Sequence, residues 1–142
     1  MKNSPLQLEN YYLTAVHLDC DDKAQVKEGQ ITWQVETSVT LAGHKEDPRR
    51  WKVDLTVKFK PAQGNAKPYE GSISFTGFFA VDATYPSDKV KFLVETNGPS
   101  VLFGAVREMC SNLTARGPWP MVLLPTQSFY TPPPKPSASS KP

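Results

Sequence analysis

Four stretches of this chain alternate apolar and polar residues with a period of two, and that rhythm restricts the folds open to it. The cleanest stretch sets Trp51, Val53, Leu55, Val57 and Phe59 against Lys52, Asp54, Thr56, Lys58 and Lys60. Successive side chains of a strand point to opposite faces, so this is a strand with one dry face and one wet face. An earlier stretch sets Ile31, Trp33, Val35, Val39 and Leu41 against Thr32, Gln34, Glu36, Ser38 and Thr40. A later one puts Tyr69, Gly71, Ile73, Phe75, Gly77 and Phe79 on one side. From Leu6 to Cys20 the even positions Leu6, Leu8, Tyr12, Val16, Leu18 and Cys20 are apolar, with Tyr11 and Leu13 interrupting the polar face. The connections, Asp21 to Gly29, Gly43 to Pro48 and Pro61 to Asn65, are polar and turn-forming. The pattern predicts a four-stranded antiparallel meander sheet with one apolar face.

That face needs a cover, and the chain beyond it supplies one. Pro86-Ser87-Asp88 reads as a helix start leading into Val90, Phe92, Leu93 and Val94, with Gly98-Pro99 as its stop. A second helix is expected from Ser100, where Leu102, Ala105, Val106, Met109 and Leu113 form an apolar stripe, with Gly117 as its cap and Pro118 blocking continuation. The predicted class is therefore α+β, with helices packed on one face of the sheet. Trp119 to Pro125 is an apolar segment too rich in proline to be helical. The domain is expected to span residues 1–130. Residues 131–142, rich in Pro, Ser and Lys, are expected to be a disordered tail.

Several function classes find no equipment here. A net charge of +2, with Lys and Arg spread along the chain, gives no dense basic stripe for nucleic acid. The two cysteines, Cys20 and Cys110, have no neighbour at metal-ligand spacing and read as free thiols of a reducing compartment. Met1-Lys2-Asn3-Ser4-Pro5 is followed by no apolar run, so the expected location is the cytoplasm, with no membrane insertion. His17 falls on a polar strand face and His44 in a loop, and neither belongs to a nucleophilic or metal-binding pattern. The Asp19, Asp21 and Asp22 cluster lacks the glycine and terminal glutamate of a calcium loop and reads as a solvated turn. No catalytic residue, metal or cofactor is assigned.

The aromatic stock points elsewhere. Phe78 and Phe79 are neighbours on a strand and cannot share a face, so one of them needs a partner outside the sheet–helix core. A meander also leaves two strand edges unpaired. Both features suit a chain that associates with other chains.

From Gly98 to Phe129 the sequence resembles the SecB family of export chaperones. The resemblance is carried by Gly98-Pro99, Leu102-Phe103-Gly104-Ala105-Val106-Arg107-Glu108, Gly117, Trp119-Pro120, Leu124 and Phe129. Tyr12-Leu13, Trp33-Gln34, Trp51-Lys52-Val53-Asp54-Leu55 and Gly77-Phe78-Phe79 match family segments in the same order, so the likeness extends over about residues 6–130. It implies an ATP-independent holdase that binds unfolded polypeptide in apolar grooves, and a homo-oligomer built as a dimer of dimers. On this resemblance the groove candidates are Trp33, Phe78, Tyr85, Phe92, Trp119, Met121 and Leu123. The oligomer-interface candidates are Tyr12, Leu102, Val106, Met109 and Leu113.

The chain departs from the family in ways that bear on its partners. Two positions that are acidic in members delivering to the SecA motor are Ala15 and Ser72 here, with Asp19 the remaining acid. The isoelectric point is near 8.5 in a family that is usually acidic. Gly104-Ala105 replaces a Pro-Tyr pair, and the Pro/Ser segment replaces a second C-terminal helix. These departures count against SecA docking and fit a SecB-like chaperone dedicated to another client, such as an antitoxin or a phage-related protein. A non-enzymatic ligand carrier and a purely structural oligomer subunit are the readings from other classes.

Overall fold

A computed structural model of the protein describes residues 2–24, 31–62 and 67–130. Four strands, β1 (Leu6–Cys20), β2 (Trp33–Gly43), β3 (Arg50–Pro61) and β4 (Tyr69–Val81), form one antiparallel sheet. A turn of 3-10 helix at Ser87–Lys89 leads into a single helix, α1 (Val90–Thr114). Parts of two expected connections (residues 25–30 and 63–66) and the expected tail (131–142) lie outside the described residues.

The strand order is β1-β4-β3-β2, which corrects the simple meander. β2, β3 and β4 follow one another as hairpins, and β1 lies beside β4 at the far edge. The reason is apolar area. β3 and β4 carry the densest apolar faces, Val53, Leu55, Val57 and Phe59 with Ile73, Phe75, Phe79 and Val81, and all eight are buried in the sheet centre. The half-wet strands β1 and β2 take the edges.

The inner face of β1 also differs from the even-numbered set. Its register against β4 shifts between Leu8 and Asn10 and again between Leu13 and Ala15. Each bulge turns the next side chains to the opposite face. Leu6 and Leu8 oppose Val81 and Phe79, then Tyr11 and Leu13 oppose Gly77 and Phe75, then Val16 and Leu18 oppose Ile73 and Gly71. Tyr11 and Leu13 therefore belong to the inner face, and Tyr12, opposite Thr76, to the outer one.

The expected pair of helices is one helix of 25 residues with Pro99 inside it. Packing overrides the stop signal: Gly98 and Pro99 are both buried, and a Cβ on Gly98 would come within 3.1 Å of Val53 Cγ2. The glycine lets the helix axis approach β3 closely, and the proline costs one backbone hydrogen bond. The buried positions Val90, Val94, Gly98, Leu102, Val106, Cys110 and Thr114 recur every fourth residue. A four-residue step advances about 40° beyond a full turn, so this row winds around the helix and does not stay on one face. Leu102 and Val106 of the expected stripe lie in it, Ala105, Met109 and Leu113 are half-buried beside it, and Phe103, Cys110 and Thr114 were hidden from a one-face reading.

α1 ends at Thr114, and Gly117 lies beyond it with a different duty from capping. A Cβ at Gly117 would strike the Tyr69 hydroxyl. Gly71 is equally constrained, because a Cβ there would strike the His17 carbonyl oxygen across the β1–β4 pair. Gly71→Ala is expected to destabilise the fold by about 2 kcal/mol through overpacking, seen as a lower urea midpoint at unchanged slope.

Candidate functional site

Beyond Thr114 the chain doubles back along α1 as an extended strap, residues 119–130. Tyr69, fully buried at the start of β4, organises the reversal. Its hydroxyl shares a proton between the carbonyls of Thr114 (3.1 Å) and Trp119 (3.3 Å) and accepts the Trp119 N–H (3.2 Å). The Trp119 indole N–H donates to the Asp21 carbonyl at 2.8 Å, tying the strap to the end of β1.

One flank of α1 then holds the strap. Thr114 Oγ1 donates to the Cys110 carbonyl at 2.7 Å and accepts the Val122 N–H at 2.8 Å. Ser111 Oγ donates to the Val122 carbonyl (3.1 Å), and Arg107 Nε to the Leu124 carbonyl (3.0 Å). Val122 and Leu124 are buried, while the alternate residues Met121 and Leu123 are 53% and 64% exposed. Farther on, Phe129 meets Phe103 and Tyr130 meets Phe92, each with ring centroids 6.0 Å apart.

The structure places the groove candidates in three neighbourhoods. Phe92, Met121 and Leu123 are exposed on α1 and the strap. Trp119 and Tyr85 are half-buried against the core, and Trp33 stands edge-on to Phe59 at the start of β2. Phe78 faces the opposite side of the sheet, where it stacks on Tyr12 with centroids 6.0 Å apart. The partner that Phe78 needs is thus another ring of its own chain.

Of the interface candidates, Tyr12 is exposed on the outer face, and Met109 and Leu113 are half-buried. Leu102 and Val106 are fully buried in the core, so they have no surface to offer a second subunit. Sequence reasoning missed the exposed inner-face residues Tyr11, Leu13 and Val16, which α1 leaves bare. The two unmatched apolar residues at 11 and 13 were the available signal, and only the bulges explain them.

Apart from the Tyr12–Phe78 stack, the outer face is largely polar, and it is shallowly hollowed. One hollow of about 350 Å³ is lined by His17, Asp19, Glu36, Lys58, Lys60 and Glu70. Another, about 230 Å³, lies at the opposite end beside Phe78 and the Arg50–Glu9 ion pair (3.0 Å). Ala15 and Ser72, the two positions without the expected acid, are on this face with Asp19, whose carboxylate pairs with His17 at 2.8 Å. His44 shapes the β2–β3 turn, where its Nδ1 accepts the N–H groups of Glu46 and Asp47 (3.1 Å each). Among the described residues no group of three or more His, Cys, Asp or Glu is placed to hold a metal ion, and no helix is long and apolar enough to cross a membrane.

The family model described as preprotein translocase subunit SecB matches residues 1–131. The chain belongs to the SecB family. A protein-export protein SecB of Thioalkalivibrio sulfidiphilus is 28% identical over 125 residues, covering 86% of this chain and 73% of that one. Its counterpart in Acinetobacter baumannii is 28% identical over 126 residues, covering 87% and 80%. Among solved structures, a Mycobacterium tuberculosis SecB-like chaperone, in complex with a peptide from an antitoxin, superposes with a TM-score of 0.67 at 14% identity. That match covers 85% of this chain and 90% of the other, and it establishes a shared SecB-like fold.

Within this SecB fold the two thiols differ sharply. Burial in the core pushes the Cys110 thiol up to about 12. Cys20 is exposed, and its thiol is raised by partial desolvation and by Asp22 and Asp21 beside it. The thiolate is the reactive form, so a raised thiol is a slow nucleophile at neutral pH. A maleimide at pH 7 is expected to label Cys20 in the native protein and to reach Cys110 only after denaturation, as read by peptide mass mapping.

Proposed function

We propose that this SecB-family protein is an ATP-independent, non-catalytic holdase that captures unfolded polypeptide on apolar surface flanking α1. The observation that carries this reading is the set of large apolar side chains left exposed by the protomer: Tyr11, Leu13 and Val16 on β1, and Phe92, Met121, Leu123 and Tyr130 along the helix and strap. Contact with such surface gains about 25 cal/mol per Å² and depends little on client sequence. Trp33, Tyr85 and Trp119 border the same core and complete the proposed groove, while Phe78 and Tyr12 serve the opposite face.

A dimer of dimers is the proposed assembly. It would cover the outward row of α1, where Val101 is 46% exposed and a Cβ on Gly104 would meet nothing within 4 Å, and leave the inner face of β1 open to client. Tyr12, Met109 and Leu113 remain interface candidates in this arrangement. Native mass measurement is expected to give four times the 15.8 kDa protomer. A monomeric mass would contradict the assembly.

The client supports two readings. Export is the role that the names of the SecB relatives carry. A dedicated client is favoured by Ala15 and Ser72 on the outer face, by the basic isoelectric point, and by the antitoxin peptide bound to the mycobacterial neighbour. The cytoplasm is the proposed site of action for either.

The holdase reading is tested by aggregation of a reduced, unfolded test protein. Near-stoichiometric suppression is expected, and Phe92→Ser is expected to weaken client binding about fivefold, the equivalent of about 1 kcal/mol of apolar contact. Aggregation that proceeds unchanged at a twofold excess of this protein would rule the holdase reading out.

A further inference from the structure

The strap is bound to α1 as a guest chain would be. Val122 presents both its N–H and its carbonyl to the helix, Leu124 presents its carbonyl, and the three are met by Thr114, Ser111 and Arg107. In an extended chain, alternate residues present their backbone polar groups to the same edge and alternate side chains to the same face. The strap obeys both rules, with Val122 and Leu124 buried and Met121 and Leu123 outward. Thr114, Ser111 and Arg107 are spaced by three and four residues, so they form one row along the helix flank. Every polar contact in this seat runs from a helix side chain to strap backbone, which any extended polypeptide can reproduce. The two apolar positions hold Val122 and Leu124, both branched aliphatics.

We propose that residues 121–125 are a built-in stand-in for client, and that an extended non-native polypeptide displaces them from the row Arg107–Ser111–Thr114. This rests on the holdase reading and names the site at which it operates. The anchorage suits such an exchange. The Trp119 end is fixed by Tyr69 and Asp21, and the 129–130 end is held by aromatic contacts. Between them the strap has no sheet ladder, only side-chain hydrogen bonds and two buried aliphatics, so it can open without unfolding the sheet. The vacated seat would then offer the client three hydrogen-bonding groups and two apolar sites, while Met121 and Leu123 are free to fold over it.

Hydrogen exchange on the full chain, with and without a reduced and permanently unfolded polypeptide, tests this directly. In the complex, the peptide containing Val122 is expected to exchange at least tenfold faster, with β3 and β4 unchanged. A complex that leaves residues 121–125 unchanged or better protected overturns the stand-in and leaves the holdase reading intact. No complex at all removes both. Val122→Ala shrinks the strap's hold without altering the seat, and retained β3 and β4 protection verifies its fold. It is expected to tighten binding of the same polypeptide at least threefold. Weaker binding would make the strap a wall of the groove and defeat the proposal.

Discussion

The buried hydroxyl of Tyr69 holds together the parts of this molecule that matter most. It belongs to β4, yet its partners are the last residue of α1 and the first anchoring residue of the strap. A buried hydroxyl left without partners would cost about 1–3 kcal/mol, so satisfying it fixes where the helix stops and which way the chain leaves. Gly117 is the sequence-level trace of this contact, since any side chain there would displace the phenol. The direction of the strap, and hence its antiparallel path along α1, follows from that one junction.

What could be read from the sequence depended on whether local pattern and tertiary packing agreed. β3 and β4 were legible because nearly all their inner residues are buried by α1 and the neighbouring strands; Trp51 is half-buried, and Phe78 is the one large apolar residue on their outer face. β1 was legible as a strand but not in phase, because two bulges change the facing of its residues and no residue type marks them. The strand order was hidden for a related reason: hairpin rhythm specifies neighbours for β2, β3 and β4 but says nothing about which edge takes β1. Gly98-Pro99 carried a true local signal for a helix end, and close approach to Val53 outweighed it.

The candidate site was legible by composition more than by position. Phe92, Met121 and Leu123 are exposed, as a groove reading requires. Phe78 is on the wrong face for that groove, and its adjacency to Phe79 could say only that the two diverge. Leu102 and Val106 look like interface residues on a helical wheel, but the four-residue buried row turns them to the core. The seat for the strap was beyond any sequence reading, because its three side chains, Arg107, Ser111 and Thr114, are polar residues of a helix whose partners are backbone atoms.

The placement of β1 has a consequence for how the chain assembles itself. Cys20 meets Tyr69, so this pairing closes a loop several times longer than either hairpin turn. The entropic cost of closure grows with the logarithm of loop length, which makes this closure about 1.5 kcal/mol costlier than a hairpin's. The amino-terminal strand is therefore the last piece of the sheet to be rewarded for joining, although it is the first to leave the ribosome. Until β4 has been synthesised, a newborn copy of this protein carries its own unpaired apolar strand.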